Sequence, residues 1–117
     1  MTPKEEAHLR ILRLIEKQPE ITQRGLAKAL GVSLGKINFL VNALVDKGLV
    51  KIGAFRKSND RLNKIVYLLT PEGISDRARL TSGYLARKEA EYIALKAELK
   101  ELRRENLDLI PNRNRQP

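Results

Sequence analysis

The chain has 117 residues, with 23 Lys or Arg against 14 Asp or Glu, a formal charge of +9, 42% hydrophobic residues and no cysteine. That length holds one domain with an appended element, and the missing thiols exclude disulfides, thiolate zinc sites and cysteine redox switches. A lone His8 excludes a histidine cluster, so no metal and no cofactor are expected. With no apolar run of secretory or membrane-spanning length, a cytoplasmic protein without membrane contact is expected.

The first helix opens on a capping box, Thr2-Pro3-Lys4-Glu5, and stops near Gln18 because Pro19 disfavours a helical residue before it. Ala7, Ile11, Leu14 and Ile15 can cover a core. Leu9 and Leu12 fall on another side and are expected to need a partner chain, while His8 reads as a partly exposed residue of the opening turns. Thr22 caps a second helix over 23–30, with Ile21 packing on Leu26 one turn in, and Gly31 permits a left-handed turn. Val32-Ser33 repeats the device before a helix over 34–47, and Leu69-Thr70 repeats it before a long helix. Two short helices across a tight turn are the helix-turn-helix signature.

At about 100° per residue, Ile37, Leu40, Val41 and Leu44 form one apolar stripe on the helix over 34–47, while Gly35, Asn38, Phe39, Asn42 and Asp46 fall opposite, flanked by Lys36. That polar side suits base contacts in the major groove of DNA. An Asn can bond adenine through two groups, a Lys can reach guanine, and an exposed Phe can lie on a thymine methyl, so Lys36, Asn38, Phe39 and Asn42 are the candidate base readers. By itself the same pattern equally describes an amphipathic helix with a solvated face.

The following segment decides between the two. Gly48 ends the helix, 49–52 and 65–69 are β-branched and aromatic enough to be strands, and Arg56, Lys57, Arg61 and Lys64 bracket a polar tip over 55–64. Cations on a hairpin tip are placed to follow a phosphate backbone, joined by Arg24 and Lys28 on the preceding helix, by the Ser33 cap and by Gly35, where the backbone can come close. Residues 22–64 carry nine Lys or Arg against two acids, an excess of +7 out of the chain's +9, so the charge is concentrated on this motif.

A helix from Pro71 to about Leu109 would be ~58 Å long, more than a small domain can cover. From Leu85 its apolar positions step as a heptad, with Leu85, Tyr92, Leu99 and Asn106 at a and Lys88, Leu95, Leu102 and Leu109 at d. Together with Leu9 and Leu12, the residues Leu85, Tyr92, Leu95, Leu99, Leu102, Asn106 and Leu109 are the candidate homodimer interface. The competing account is an amphipathic helix packed on its own domain, for which Lys88 at d and Ile93 off the seam speak. The expected organisation is a DNA-binding domain over 1–70, a dimerisation helix over 71–109 and a flexible tail over 110–117.

Three segments carry a resemblance over nearly the whole chain: Gly31-Val32-Ser33-Leu34-Gly35-Lys36-Ile37-Asn38, Asp46-Lys47-Gly48-Leu49-Val50-Lys51-Ile52, and Tyr67-Leu68-Leu69-Thr70-Pro71-Glu72-Gly73-Ile74. With the later Leu80-Thr81, Arg87-Lys88 and Glu91-Tyr92, they resemble the MarR family of regulators, specifically the small branch called EPS-associated. Gly53-Ala54, where a more polar pair would stand, and the last eight residues depart from that pattern. The resemblance implies a bacterial, cytoplasmic, nucleoid-associated and dimeric transcription factor whose targets concern exopolysaccharide synthesis.

Taken together, the expectation is a mainly α protein with a small β-hairpin wing, binding double-stranded DNA sequence-specifically as a homodimer. A different class stays open, a winged-helix protein-interaction module with weak nonspecific nucleic-acid binding. An enzyme is not expected, since there is no Gly-rich phosphate loop after a strand, no nucleophile elbow and no buried carboxylate pair. An aromatic content of 4% leaves few rings for stacking RNA bases or lining an effector pocket, so no small-molecule effector can be named.

Overall fold

A computed structural model of the chain describes residues 1–56 and 63–109, with the side chains of 55, 56, 63 and 64 left aside. In chain order the elements are α1 (Pro3–Lys17), α2 (Gln23–Leu30), α3 (Leu34–Asp46), β1 (Val50–Arg56), β2 (Asn63–Leu69) and α4 (Pro71–Leu109). The protein is therefore mainly helical around one antiparallel hairpin.

One hydroxyl sets each helix start. Thr2 Oγ1 accepts from the Glu5 N–H at 3.1 Å while Glu5 Oε1 accepts from the Thr2 N–H at 3.1 Å, which completes the capping box. Thr22, Ser33 and Thr70 accept in the same way from the N–H groups of Gly25, Lys36 and Gly73. Such caps contribute about 1 kcal/mol each. Gly31 and Gly48 hold φ at 71° and 73°, a left-handed backbone in which a side chain would be strained. Across the first of these turns α2 and α3 bend by 108°, so they cross instead of continuing.

The core joins Leu9, Ile11, Leu12 and Ile15 of α1 to Leu26 of α2, Ile37, Leu40, Val41 and Leu44 of α3, Val50 and Tyr67 of the hairpin, and Leu80 of α4. Here the structure corrects the assignment of Leu9 and Leu12 to a dimer interface: they are 1% and 0% exposed within the single chain. The buried positions of α1 span an arc of about 160°, wider than the stripe of an ordinary surface helix. What looked like a spare face is closed by the chain's own elements. An ion pair of 2.7 Å between Arg77 and Glu16 fastens the start of α4 to α1.

His8 also differs from expectation. It is 5% exposed, with Nε2 buried and lacking a hydrogen-bond partner among the described residues. Burial pushes its pKa below the ordinary 6.5, helped by Lys47 and Lys4 and opposed by Asp76 and Glu5. The folded state therefore binds a proton less readily than the unfolded chain, and stability falls as pH drops through and below about 6.5. We expect the melting temperature to decline from pH 8 to pH 5, a window above the carboxylate range, and His8→Met to flatten that decline. A slope that survives His8→Met would assign the titration elsewhere.

The hairpin pairs Val50 with Leu69, Ile52 with Tyr67 and Gly53 with Val66, and continues to Arg56 opposite Asn63. Both strands run longer than the sequence suggested, because the ladder is made by backbone groups and passes through Gly53-Ala54 without needing strand-forming side chains. Gly53 suits its place, since a Cβ there would stand 3.2 Å from Val66 Cγ2. At the other end, the Thr70 N–H donates to the Leu49 carbonyl at 3.1 Å and its hydroxyl donates to the Gly48 carbonyl at 2.5 Å. These bonds weld the turn after α3 to the start of α4.

Two compact units result, Met1–Tyr84 and Leu85–Pro117. The first reaches beyond residue 70 because Leu80 is in the core and Tyr84 packs against it. Among the described residues no single helix is long and apolar enough to cross a membrane.

Candidate nucleic-acid interface

With its apolar stripe locked into the core, α3 turns Lys36, Asn38, Phe39 and Asn42 outward, all exposed. Phe39 is 62% exposed, and the Lys36 ammonium lies 5.8 Å from the centre of its ring, a cation–π distance. On α2, Arg24 and Lys28 are exposed as well. Ser33 Oγ is used as the α3 cap, and its hydroxyl hydrogen has no acceptor among the described residues. Nothing stands within 4 Å of where a Gly35 Cβ would be, so the backbone is open there. Neither α2 nor α3 has an acid in its first turn, whereas α1 carries Glu5 and Glu6 and α4 carries Glu72. The positive ends of the two central helix dipoles are thus left uncompensated by acids of their own.

Sequence reasoning missed two residues behind this face. Tyr67, 6% exposed on β2, accepts at its hydroxyl from Gln23 Nε2 at 3.4 Å. Gln23 Oε1 in turn accepts from Asn38 Nδ2 at 3.3 Å, and Asn38 Oδ1 accepts from Asn42 Nδ2 at 3.1 Å. A chain of side-chain bonds therefore runs from the hairpin through the first residue of α2 to the exposed side of α3. The available signal was chemical: a buried tyrosine hydroxyl needs a polar partner. Periodicity alone could not say that Gln23 supplies it.

A description of winged helix-turn-helix DNA-binding domains matches residues 4–51. Among solved structures the chain is similar to MepR of Staphylococcus aureus in complex with DNA, at 23% identity and a TM-score of 0.63, covering 96% of this chain and 77% of that one. It is similar to a MarR family transcriptional regulator from Rhodococcus sp. RHA1 at 22% identity and 0.61, covering 88% and 71%. The adhesin competence repressor AdcR of Streptococcus pyogenes is similar at 18% identity and 0.62, covering 95% and 80%. No curated protein sequence matches the chain. The fold is a winged helix-turn-helix with a long C-terminal helix.

In this winged helix-turn-helix, α2 and α3 are the crossed pair and β1–β2 is the wing. Arg56 ends β1 opposite Asn63, and Lys64 sits opposite Phe55, which puts both on the last described rungs of the wing. Lys57 and Arg61 lie outside the described residues, as does the tail over 110–117.

Leu85, Tyr92, Leu95, Leu99, Leu102, Asn106 and Leu109 are all exposed on α4. Lys88, the misfit at a d position, sends its ammonium to Glu91 at 3.1 Å, and Arg87 reaches the other oxygen of Glu91 at 3.1 Å. The hydrogen bond from Lys88, with the two neighbouring positive charges, holds the Glu91 carboxyl below its ordinary pKa. A lysine that turns its charge aside leaves only its alkyl stem on the seam.

Proposed function

We propose that this protein is a MarR-type transcriptional regulator, a binding protein and not an enzyme, that recognises double-stranded DNA sequence-specifically as a homodimer. The observation that carries this reading is the outward side of α3, where Lys36, Asn38, Phe39 and Asn42 stand exposed on a helix held rigidly from behind. In this reading α3 enters the major groove, and Arg24, Lys28, Ser33 and Gly35 face phosphates. The wing, with Arg56, Lys57, Arg61 and Lys64, follows the backbone. The heptad seam of α4 pairs two copies, in a cytoplasmic protein associated with the nucleoid. Support for exopolysaccharide genes as targets comes from the sequence resemblance to the EPS-associated branch.

Selection from a pool of randomised duplexes tests the proposal. A site bound about a thousandfold or more tighter than random duplex at fixed salt is expected. Arg56→Ala with Lys57→Ala should weaken all duplexes alike and flatten the slope of log affinity against log salt by up to about two units. Equal, weak binding to every duplex would instead favour a winged-helix module that docks another protein.

A further inference from the structure

The chain of bonds from Tyr67 to Asn42 divides labour between two asparagines that look equivalent in the sequence. A carboxamide offers one carbonyl oxygen and two N–H groups. Asn38 has its oxygen engaged by Asn42 and one N–H engaged by Gln23. Asn42 gives up one N–H only, and its oxygen and second N–H have no partner among the described residues. Reading adenine needs an acceptor for N6 and a donor for N7 from one amide at the same time. Asn42 keeps its whole oxygen and one N–H without a partner among the described residues, whereas Asn38 already has one bond on its oxygen and one on its nitrogen.

We infer that Asn42 is the adenine-reading residue and that Gln23, braced by the Tyr67 hydroxyl, is the positioning residue that orients it through Asn38. This rests on the DNA-binding reading above and adds to it a specificity mechanism. Amides free to rotate would present donor and acceptor in any direction, whereas in the observed chain the Tyr67 hydroxyl accepts from Gln23 and each later amide is turned to match, with Gln23 accepting from Asn38 and Asn38 from Asn42. Because Tyr67 belongs to β2, the strand that carries one side of the wing is bonded through this chain to the base-reading face.

The experiment uses the full chain and a duplex selected from the randomised pool, with variants in which each A·T pair is replaced in turn by G·C. Asn42→Ala should lower discrimination at one A·T position by roughly 5- to 150-fold and leave random-duplex affinity unchanged. Gln23→Ala should blunt discrimination at that same position by about 3- to 30-fold, and should do nothing further in an Asn42→Ala background. Tyr67→Phe, which keeps the buried ring, should act in the same direction with the melting temperature little changed. Additive losses for Gln23 and Asn42, or a Gln23→Ala effect spread equally over all duplexes, would overturn the inference and leave DNA recognition standing. Loss of A·T discrimination on Asn38→Ala with none on Asn42→Ala would assign the reading to Asn38. A pool with no enriched site would remove the DNA-binding reading itself.

Discussion

Replacing Gly73 by alanine should destabilise the protein by about 3 kcal/mol or more, although alanine is the better helix former by about 1 kcal/mol. Gly73 lies buried in the first turn of α4, and an added Cβ would fall within contact range of the Leu49 carbonyl oxygen. That oxygen is backbone, and it is held in place by the Thr70 N–H at 3.1 Å, so it cannot swing away as a flexible side chain would. The clash must be relieved by separating α4 from the turn after α3, at the expense of the Thr70 bonds to Gly48 and Leu49. Gly35→Ala is the matched control: its Cβ would meet nothing within 4 Å, and stability should hold or rise slightly. Urea denaturation of both variants decides the matter. A Gly73→Ala midpoint equal to that of the parent would mean that the contact is looser than the geometry requires.

The second large effect concerns the α4 seam. In a parallel pair a g residue faces the e residue five positions on in the partner, which sets Glu91 against Lys96 and Glu98 against Arg103, both attractive. An antiparallel pair would bring g near g and e near e, so acids would meet acids. Asn106 at an a position can bond its symmetry mate only when the strands are parallel and in register. The chain has no cysteine to confuse the result. Leu109→Cys, at a position 81% exposed, should oxidise nearly completely to a disulfide-linked dimer. An antiparallel pair centred near residue 97 would hold the two thiols ~36 Å apart. If the variant is dimeric by light scattering and yet fails to cross-link, the parallel arrangement is excluded. Leu9 and Leu12 could not then supply the alternative interface, because both are buried within one chain.

Local rules were the readable part of this sequence. Hydroxyls at Thr2, Thr22, Ser33 and Thr70 mark where helices start, since each cap involves residues only three apart. The two sides of α3 follow from angle alone, and α4 begins where its pattern does. Leu9 and Leu12 were misread because a helix's own sequence gives the direction of a side chain and not the number of neighbours around it. His8 was misread for the same reason. Gln23 and Tyr67 are 44 positions apart, and no periodicity links a residue at a helix start to one in a strand. Their pairing exists only once the hairpin has folded back beside α2.

The division of the chain after Tyr84 bears on what its stability means. Residues up to Tyr84 close their own core, so their unfolding free energy belongs to a single molecule. From Leu85 to Leu109 almost every side chain is exposed, and the side-chain contacts described along the helix are short-range, such as Arg87–Glu91 and Lys96 over Tyr92. In the proposed homodimer the further order of that stretch comes from the second copy, and so follows the law of mass action. If α4 pairs two copies as proposed, one melting temperature does not describe the chain: the first part keeps the same value on dilution, while the second is as stable as the concentration of the second copy allows.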